Sequence, residues 1–132
     1  MTRPFLELRD VARQFQTREG VVSALEDVSF DVATGEFVSI VGPSGCGKST
    51  LAMIVAGLLA PSGGRVSIDG TLVTRPQTNL GIVFQNPVLL AWRHALDNVL
   101  LQIEMRDLPS ASYLERARTL LASVGLAGFE AR

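Results

Sequence analysis

Three features of the sequence predict an α/β fold. Residues 5–15 alternate between polar and apolar side chains, which is typical of a strand with one solvated face. Residues 37–41 form a nearly continuous, β-branched apolar run, which is typical of a strand buried on both faces of a parallel sheet. After a glycine-rich loop, apolar residues recur at helical spacing from Leu51 to Leu59. Strands and helices therefore alternate in the first part of the chain.

The remaining elements of the first part follow in order. Two short extended segments are predicted over residues 21–25 and 28–32, and the helix after the loop is expected to end at residues 61–64, PSGG. Residues 65–73 predict a hairpin, because Asp69-Gly70 suits a two-residue turn with positive φ. Residues 80–85 predict another short buried strand, closed by Asn86-Pro87.

The second part of the chain has a helical pattern only. Apolar residues at helical spacing predict one helix over residues 96–103, which is broken before Pro109. They predict a second helix over residues 114–124, which Gly125 stops. The sequence therefore predicts strands with one crossover helix first and helices afterwards.

Composition limits the classes of function. With 132 residues, 47% of them hydrophobic and 19% charged, the chain has an ordinary globular balance. A net charge of −1 argues against a dominant surface for nucleic acid or anionic lipid. The single cysteine excludes an intramolecular disulfide and favours a reducing compartment. The longest apolar run, residues 51–60, is shorter than the ~20 residues that a membrane-spanning helix needs. A mean hydropathy of +0.29 nevertheless predicts surfaces that a partner covers.

The most specific motif lies at residues 42–49, GPSGCGKS, which fits the pattern G-x-x-x-x-G-K-[ST] of phosphate-binding loops. Its glycines let backbone N–H groups converge on phosphate oxygens, and the following helix contributes its dipole and unpaired donors. The only lysine of the chain, Lys48, stands where a compact ammonium reaches the outer phosphates, and the Ser49 hydroxyl is expected to ligate Mg²⁺. The alternative is a glycine-rich turn with an incidental lysine. The predicted nucleotide-binding residues here are Gly42, Pro43, Ser44, Gly45, Cys46, Gly47, Lys48, Ser49 and Thr50.

These motifs make the chain resemble the ATP-binding subunits of ABC transporters. The matching stretches are LEDVSFDVATGEFVSIVGPSGCGKST, LAMIVAGLLAPSGGRVSIDG and LGIVFQNPVLLAWRHALDNV. Within the last stretch, residues 89–99 are similar to the L-L-P-W-R-x-x-x-D-N-V segment of importers for nitrate, aliphatic sulfonates and taurine, with Ala91 in place of the usual proline. The resemblance implies a P-loop NTPase of the ABC ATPase type. It implies an ATP-binding core with an antiparallel β subdomain at residues 1–87 and the start of a helical subdomain at 88–132.

The resemblance also implies roles for single residues. Phe15 matches the aromatic position that stacks on adenine, although tyrosine is commoner there; the alternative is a core or hairpin phenylalanine. Gln85 matches a glutamine that contacts Mg²⁺ and its water network, and the alternative is an ordinary strand-end residue. Lys48 and Gln85 are thus the predicted catalytic residues, and Ser49 and Gln85 the predicted metal ligands. Cys46 is a variable position with no catalytic role.

Partners follow from the same resemblance. It implies ATP and Mg²⁺ as cofactors, a second ATP-binding subunit, transmembrane permease subunits and, indirectly, a solute-binding protein, but no nucleic acid. Trp92 and Arg93 are expected near the surface that receives the permease, with a Trp packed beneath the first helix as the alternative. His94 is interpreted as a solvated residue. The implied location is the cytoplasmic side of the cell membrane, reached through the permease.

Several motifs of such ATPases do not occur in the sequence. It has no run of four apolar residues followed by Asp-Glu, no LSGGQ-like motif and no switch histidine. We therefore expect a truncated ATPase domain that does not hydrolyse ATP alone, lacks central strands and is prone to pairing at exposed strand edges. A small phosphate-loop kinase acting on a soluble acceptor and a non-catalytic fragment remain as alternatives.

Overall fold

The computed structural model describes residues 3–132, which form two compact units divided between Gln77 and Thr78. The first unit contains a four-stranded antiparallel sheet in the order β2-β1-β3-β4. Its elements are β1 (Leu6–Thr17), β2 (Gly20–Val32), α1 (Lys48–Val55), β3 (Gly63–Ile68) and β4 (Thr71–Leu72). The resemblance implied a different boundary, after residue 87, between the ATP-binding core and the helical subdomain. That boundary stays a prediction.

A long hairpin of β1 and β2 forms the main part of this sheet. Its register runs from Leu6 opposite Val32 to Thr17 opposite Gly20. The two segments predicted at residues 21–25 and 28–32 belong to one strand, which passes through Asp27 at a φ of 48° and contains register shifts relative to β1. A bulge therefore replaces the predicted break, because the hydrogen-bond ladder resumes on both sides of it.

The core of the first unit lies between the sheet and α1. Leu8 and Val11 on β1 are fully buried, and they cluster with Leu25, Leu51, Ile54 and Val66. The alternation of β1 and the helical spacing of α1 are thus confirmed. Burial of each large apolar side chain contributes about 1.5–3 kcal/mol to the stability of such a core.

Helix α1 ends four residues earlier than its apolar pattern predicts. Gly57 has a φ of 73°, its N–H donates to the Ile54 carbonyl, and the Leu58 N–H donates to the Met53 carbonyl at 2.9 Å. These two bonds form the glycine-terminated helix end in which a left-handed residue satisfies the last carbonyls. A Cβ at position 57 would lie 2.1 Å from the Arg75 carbonyl oxygen, so glycine is required there.

The hairpin predicted at residues 65–73 is confirmed. Strands β3 and β4 pair through Ser67 with Leu72 and through Ile68 with Thr71. The turn residues Asp69 and Gly70 have φ values of 46° and 67°, as a two-residue turn of this hand requires.

The two buried strands predicted at residues 37–41 and 80–85, the first of them in a parallel sheet, are not formed. Residues 37–41 and 80–85 have no strand assignment, and no parallel pair occurs within residues 3–132. Phe37 is 91% exposed and Val83 is 99% exposed, so burial on both faces was also a wrong prediction. Apolar residues extend into a strand only when a neighbour completes the backbone hydrogen bonds, and the described chain offers these segments none.

From residue 95 onwards the second unit is helical, as predicted. It contains α2 (Ala95–Glu104), a 3₁₀ turn (Ser110–Tyr113) and α3 (Leu114–Ser123). The buried residues of this unit are Leu100 of α2 and Ala117 and Leu121 of α3. Gly125 ends α3 at a φ of 80°, which confirms the predicted stop. Within the described residues, helices with the length and apolar character of a membrane span are absent.

Candidate functional site

The glycine-rich loop at residues 42–47 leads directly into α1. Gly45 and Gly47 have φ values of 81° and 93°, a conformation that other residues adopt only with strain. A Cβ on Gly47 would lie 2.3 Å from the Ala24 carbonyl oxygen of β2. The loop therefore needs glycine at position 47 for two reasons, its own backbone and its close approach to the neighbouring strand.

The first turn of α1 presents unpaired backbone donors. The Leu51 N–H is the first to find an acceptor in the helix, at 2.9 Å from the Gly47 carbonyl oxygen. The N–H groups of Lys48, Ser49 and Thr50 precede it and lack an acceptor within the helix, as at every helix start. No acidic residue occupies this first turn, so the positive end of the helix dipole is not neutralised there. Such an end binds anions.

The Lys48 ammonium lies across the same loop. Its Nζ donates to the carbonyl oxygens of Gly42 at 2.7 Å and Pro43 at 2.6 Å, and it lies 3.4 Å from the Cys46 Sγ. Three donors on one ammonium can exchange these carbonyls for phosphate oxygens without moving the backbone. The ammonium and the unpaired amides of α1 therefore belong to one short stretch of chain, residues 42–50.

The hydroxyl groups after Lys48 fit a hard cation that arrives together with phosphate. Ser49 is exposed in the first turn of α1, and hydroxyl oxygen is a ligand that Mg²⁺ accepts. In the part of the chain that the structure describes, no cluster of three or more His, Cys, Asp or Glu residues could hold a metal ion. The residues present therefore fit a metal that takes most of its oxygen ligands from a bound nucleotide and water.

Phe15 lies on β1 opposite Val22 and is half-buried. It is outside the core cluster but within the β1–β2 hairpin, so of the two alternatives the hairpin phenylalanine fits the structure and the core phenylalanine does not. The Arg13 guanidinium lies 4.6 Å from the ring centroid, within the range of a cation–π contact. The same guanidinium donates to the Ala60 carbonyl at 3.0 Å, which fixes it beside the ring.

Sequence reasoning missed Arg13. Its signal was present, because Arg13 stands two residues before Phe15 and residues two apart on a strand share a face. A contact that orders one face of the aromatic ring leaves stacking to the other face. Whether adenine stacks on Phe15 stays a prediction.

An apolar groove of about 570 Å³ lies beside Lys48 in the first unit. Leu25, Val28 and Phe30 of β2 line it together with residues 38–41. Gly47 and Lys48 also line it. Two carboxylates, Asp31 and Glu36, also line the groove, and both are already engaged, the first by the Arg9 guanidinium and the second by the Ala33 N–H.

Gln85 lies in the second unit, exposed at a bend that it forms with Asn86, just before Pro87. Its side chain makes no hydrogen bond to the protein within residues 3–132, so it is available to an outside group. Its predicted contact with Mg²⁺ remains a prediction.

Trp92, Arg93 and His94 precede α2. Trp92 is 81% exposed, which rules out the alternative of a tryptophan packed beneath the first helix. Arg93 donates to both carboxylate oxygens of Glu104 at 2.9 and 2.8 Å, so its charge is engaged within the unit. His94 is exposed, in agreement with its interpretation as a solvated residue.

A family model described as ABC transporter matches residues 25–132 of the chain. The taurine import ATP-binding protein TauB of Burkholderia pseudomallei (strain 1710b) is 42% identical over 122 residues, which are 92% of this chain and 47% of that protein. TauB of Pseudomonas aeruginosa (strain UCBPP-PA14) is 44% identical over 116 residues, covering 88% of this chain and 44% of that protein. The chain thus spans about half the length of the curated relatives it matches.

Solved structures agree with these relatives. The ATP-binding cassette MJ0796, described as a dimer in a post-hydrolysis state bound to ADP and Pi, superimposes with a TM-score of 0.83 at 30% identity. The match covers 96% of this chain and 60% of that one. The fold class predicted from the sequence is thereby confirmed as that of an ABC ATPase cassette. Since the family model covers most of the chain, the protein belongs to the ABC transporter family.

Proposed function

We propose that this chain carries the nucleotide-binding loop of the ATP-binding subunit of an ABC importer, and that it binds Mg-ATP. The observation that carries the proposal is that the Lys48 ammonium bonds to the carbonyls of the glycine-rich loop, while the amides of Lys48, Ser49 and Thr50 at the start of α1 have no acceptor within the helix. Anionic phosphate is the ligand that such a set of donors suits. Family membership favours this function over that of a kinase with a soluble acceptor.

Each predicted site residue has a chemical role in this proposal. Lys48 binds the outer phosphate oxygens, and residues 42–50 surround the triphosphate. Ser49 and Gln85 hold Mg²⁺, which neutralises charge on the phosphates. Phe15 stacks on adenine, with Arg13 ordering the ring from its other face.

Hydrolysis in this proposal requires groups outside residues 1–132. The two carboxylates that line the groove beside Lys48, Asp31 and Glu36, are held by Arg9 and by the Ala33 N–H, and the sequence contains no apolar run ending in Asp-Glu. A carboxylate that orients the attacking water must therefore come from elsewhere. We infer that a complete site assembles only when further protein covers the groove.

The relatives guide the proposal on partners and solute. TauB is a taurine import protein, and MJ0796 is described as dimeric. We infer a pair of ATP-binding subunits that drive permease subunits, with Trp92 and Arg93 on the docking surface. The solute is taurine or a similar small molecule such as a sulfonate or nitrate. In this assembly the chain lies on the cytoplasmic side of the cell membrane, held there through the permease.

Titration with a fluorescent ATP analogue tests the loop. Lys48→Ala removes charge-assisted hydrogen bonds that contribute about 1.5–3 kcal/mol, so we expect roughly 10- to 100-fold weaker binding. Arg65→Ala is the matched control, because Arg65 is an exposed cation of the same unit on β3. If Lys48→Ala and Arg65→Ala bind the nucleotide equally well, the loop is not the phosphate site. In the assembled transporter, Lys48→Ala should also abolish ATP turnover.

Phe15→Ala tests the adenine contact separately. Loss of an aromatic stacking partner costs about 1–3 kcal/mol per base. ATP and ADP should weaken by the same factor, since stacking does not involve the γ-phosphate. Selective loss of ATP alone would contradict the role of Phe15 and leave the phosphate loop in place.

A further inference from the structure

One side chain in the second unit holds the loop that precedes α2. The Asn98 Oδ1 accepts a hydrogen bond from the Leu90 N–H at 2.9 Å. Its Nδ2 shares its two hydrogens among the carbonyl oxygens of Leu90 at 3.2 Å, Arg93 at 3.1 Å and His94 at 3.1 Å. The oxygen and the nitrogen of the side-chain amide are therefore both hydrogen-bonded, and they hold residues 90–94 to the first turn of α2.

The bonds require an amide. Leu90 presents both its N–H and its carbonyl to Asn98, as two strands present these groups to each other. A carboxylate could accept from the Leu90 N–H but would face three carbonyl oxygens without a hydrogen to donate. An alanine would leave the half-buried Leu90 N–H without its partner.

The loop that Asn98 holds carries one exposed aromatic side chain. Trp92 is 81% exposed at the centre of residues 90–94. Its neighbour Arg93 is tied to Glu104 by two hydrogen bonds at the other end of α2. The backbone is thus anchored near both ends of the loop, and the indole is the large group left for a partner. Exposed aromatics on a rigid backbone bind with little loss of conformational entropy.

We propose that Asn98 is a positioning residue that keeps residues 90–94 in one preformed conformation, so that Trp92 is ready to dock on the permease. This role rests on the proposed function, which assigns the docking surface to Trp92 and Arg93. Asn98 acts through the loop backbone and makes no contact with the partner itself. Its loss should therefore free the loop first and weaken docking as a consequence.

Trp92 is the single tryptophan of the chain, so its fluorescence reports on this loop alone. In Asn98→Ala and Asn98→Asp we expect faster local depolarisation of Trp92 while far-UV circular dichroism stays unchanged. Hydrogen exchange at the Leu90 amide should accelerate by roughly tenfold, the effect of one lost hydrogen bond. Gln102→Ala, an exposed change on the same helix, is the matched control and should leave both readouts unchanged.

Binding of the subunit to its membrane subunits in detergent tests the consequence. Trp92→Ala and Asn98→Ala should both weaken association, with Gln102→Ala unchanged. The role of Asn98 is overturned if neither Asn98 variant changes Trp92 depolarisation or Leu90 exchange. It is also overturned if Asn98→Ala frees the loop but binds like Gln102→Ala while Trp92→Ala binds weakly, because the partner would then order the loop. If Trp92→Ala binds normally, the proposed docking surface itself is wrong, and the positioning role is wrong with it.

Discussion

The hairpin of β1 and β2 and the run at residues 37–41 were both predicted to be extended from their apolar residues, but they have different outcomes. In the hairpin, each strand has a neighbour along its length, and Leu8 and Val11 are fully buried. Residues 37–41 pair with nothing in the described chain, and Phe37 and Val41 are 91% and 90% exposed. Apolar and β-branched residues therefore do not make a strand without a second backbone to bond.

The largest difference between the two regions is expected in the rate of amide hydrogen exchange. Amides of β1 that pair with both β2 and β3 should exchange about a thousandfold more slowly than those of residues 37–41 and 80–85. The cause is that ladder amides exchange only after the sheet opens, whereas unpaired amides are already accessible. Equal protection in β1 and residues 37–41 would show that the run has a partner in solution, such as a second copy.

The second largest difference is expected in the free energy of unfolding when one apolar side chain in each region is shortened. Leu8→Ala leaves a cavity in the core cluster and should lower the free energy of unfolding by about 2–5 kcal/mol. Phe37→Ala should change it by no more than about 0.5 kcal/mol, because the ring is already in solvent. Urea unfolding followed by circular dichroism measures both. A cost for Phe37→Ala that matches Leu8→Ala would place residues 37–41 in a packed core.

Replacing glycines by alanine in the paired and unpaired regions should give a smaller difference in stability. A Cβ on Gly64 of β3 would lie 2.2 Å from the Asp10 carbonyl oxygen, at a φ of 72°, so Gly64→Ala should cost about 1–3 kcal/mol. Gly81→Ala meets nothing within 4 Å and should stay within about 0.5 kcal/mol. Gly35→Ala, at a φ of 77° in open space, separates backbone strain from the clash. Equal costs at Gly64 and Gly35 would show that the clash at β1 contributes nothing.

The smallest effect concerns the ion pair across the paired region. The Arg9 guanidinium, 2.6 Å from Asp31, lowers the pKa of that carboxyl below its ordinary value of 3.8. A lowered pKa stabilises the fold above the unfolded-state pKa, and this stabilisation disappears as the pH falls through the folded-state pKa. Asp31→Asn should therefore make acid unfolding slightly less steep below pH 3.8, with little change at neutral pH. An unchanged acid limb would mean that the pair contributes nothing, as for many exposed pairs.

Local sequence patterns predicted most of the strands, turns and helices that depend on residues close in sequence. The alternation of β1, the Asp69-Gly70 turn, the spacing of α1, α2 and α3, and the glycine-rich loop all depend on residues close in sequence. The contacts of Asn98 with Leu90 and of Arg13 with Phe15 were missed, although they too are short in range. The strand spacing of Arg13 and Phe15 could have indicated their contact, whereas the contacts of Asn98 depend on side-chain direction, which propensity and hydrophobic period do not encode.

Residue types and their spacing were enough to specify a phosphate-binding loop, because glycine conformation, one ammonium and a helix start act within nine consecutive positions. Three-dimensional packing was needed for the rest. It settled which apolar runs became strands, that Trp92 is exposed, and that a groove borders Lys48. The physical reason is that burial and strand pairing depend on the groups that a segment meets in space, and residues near it in sequence do not specify these.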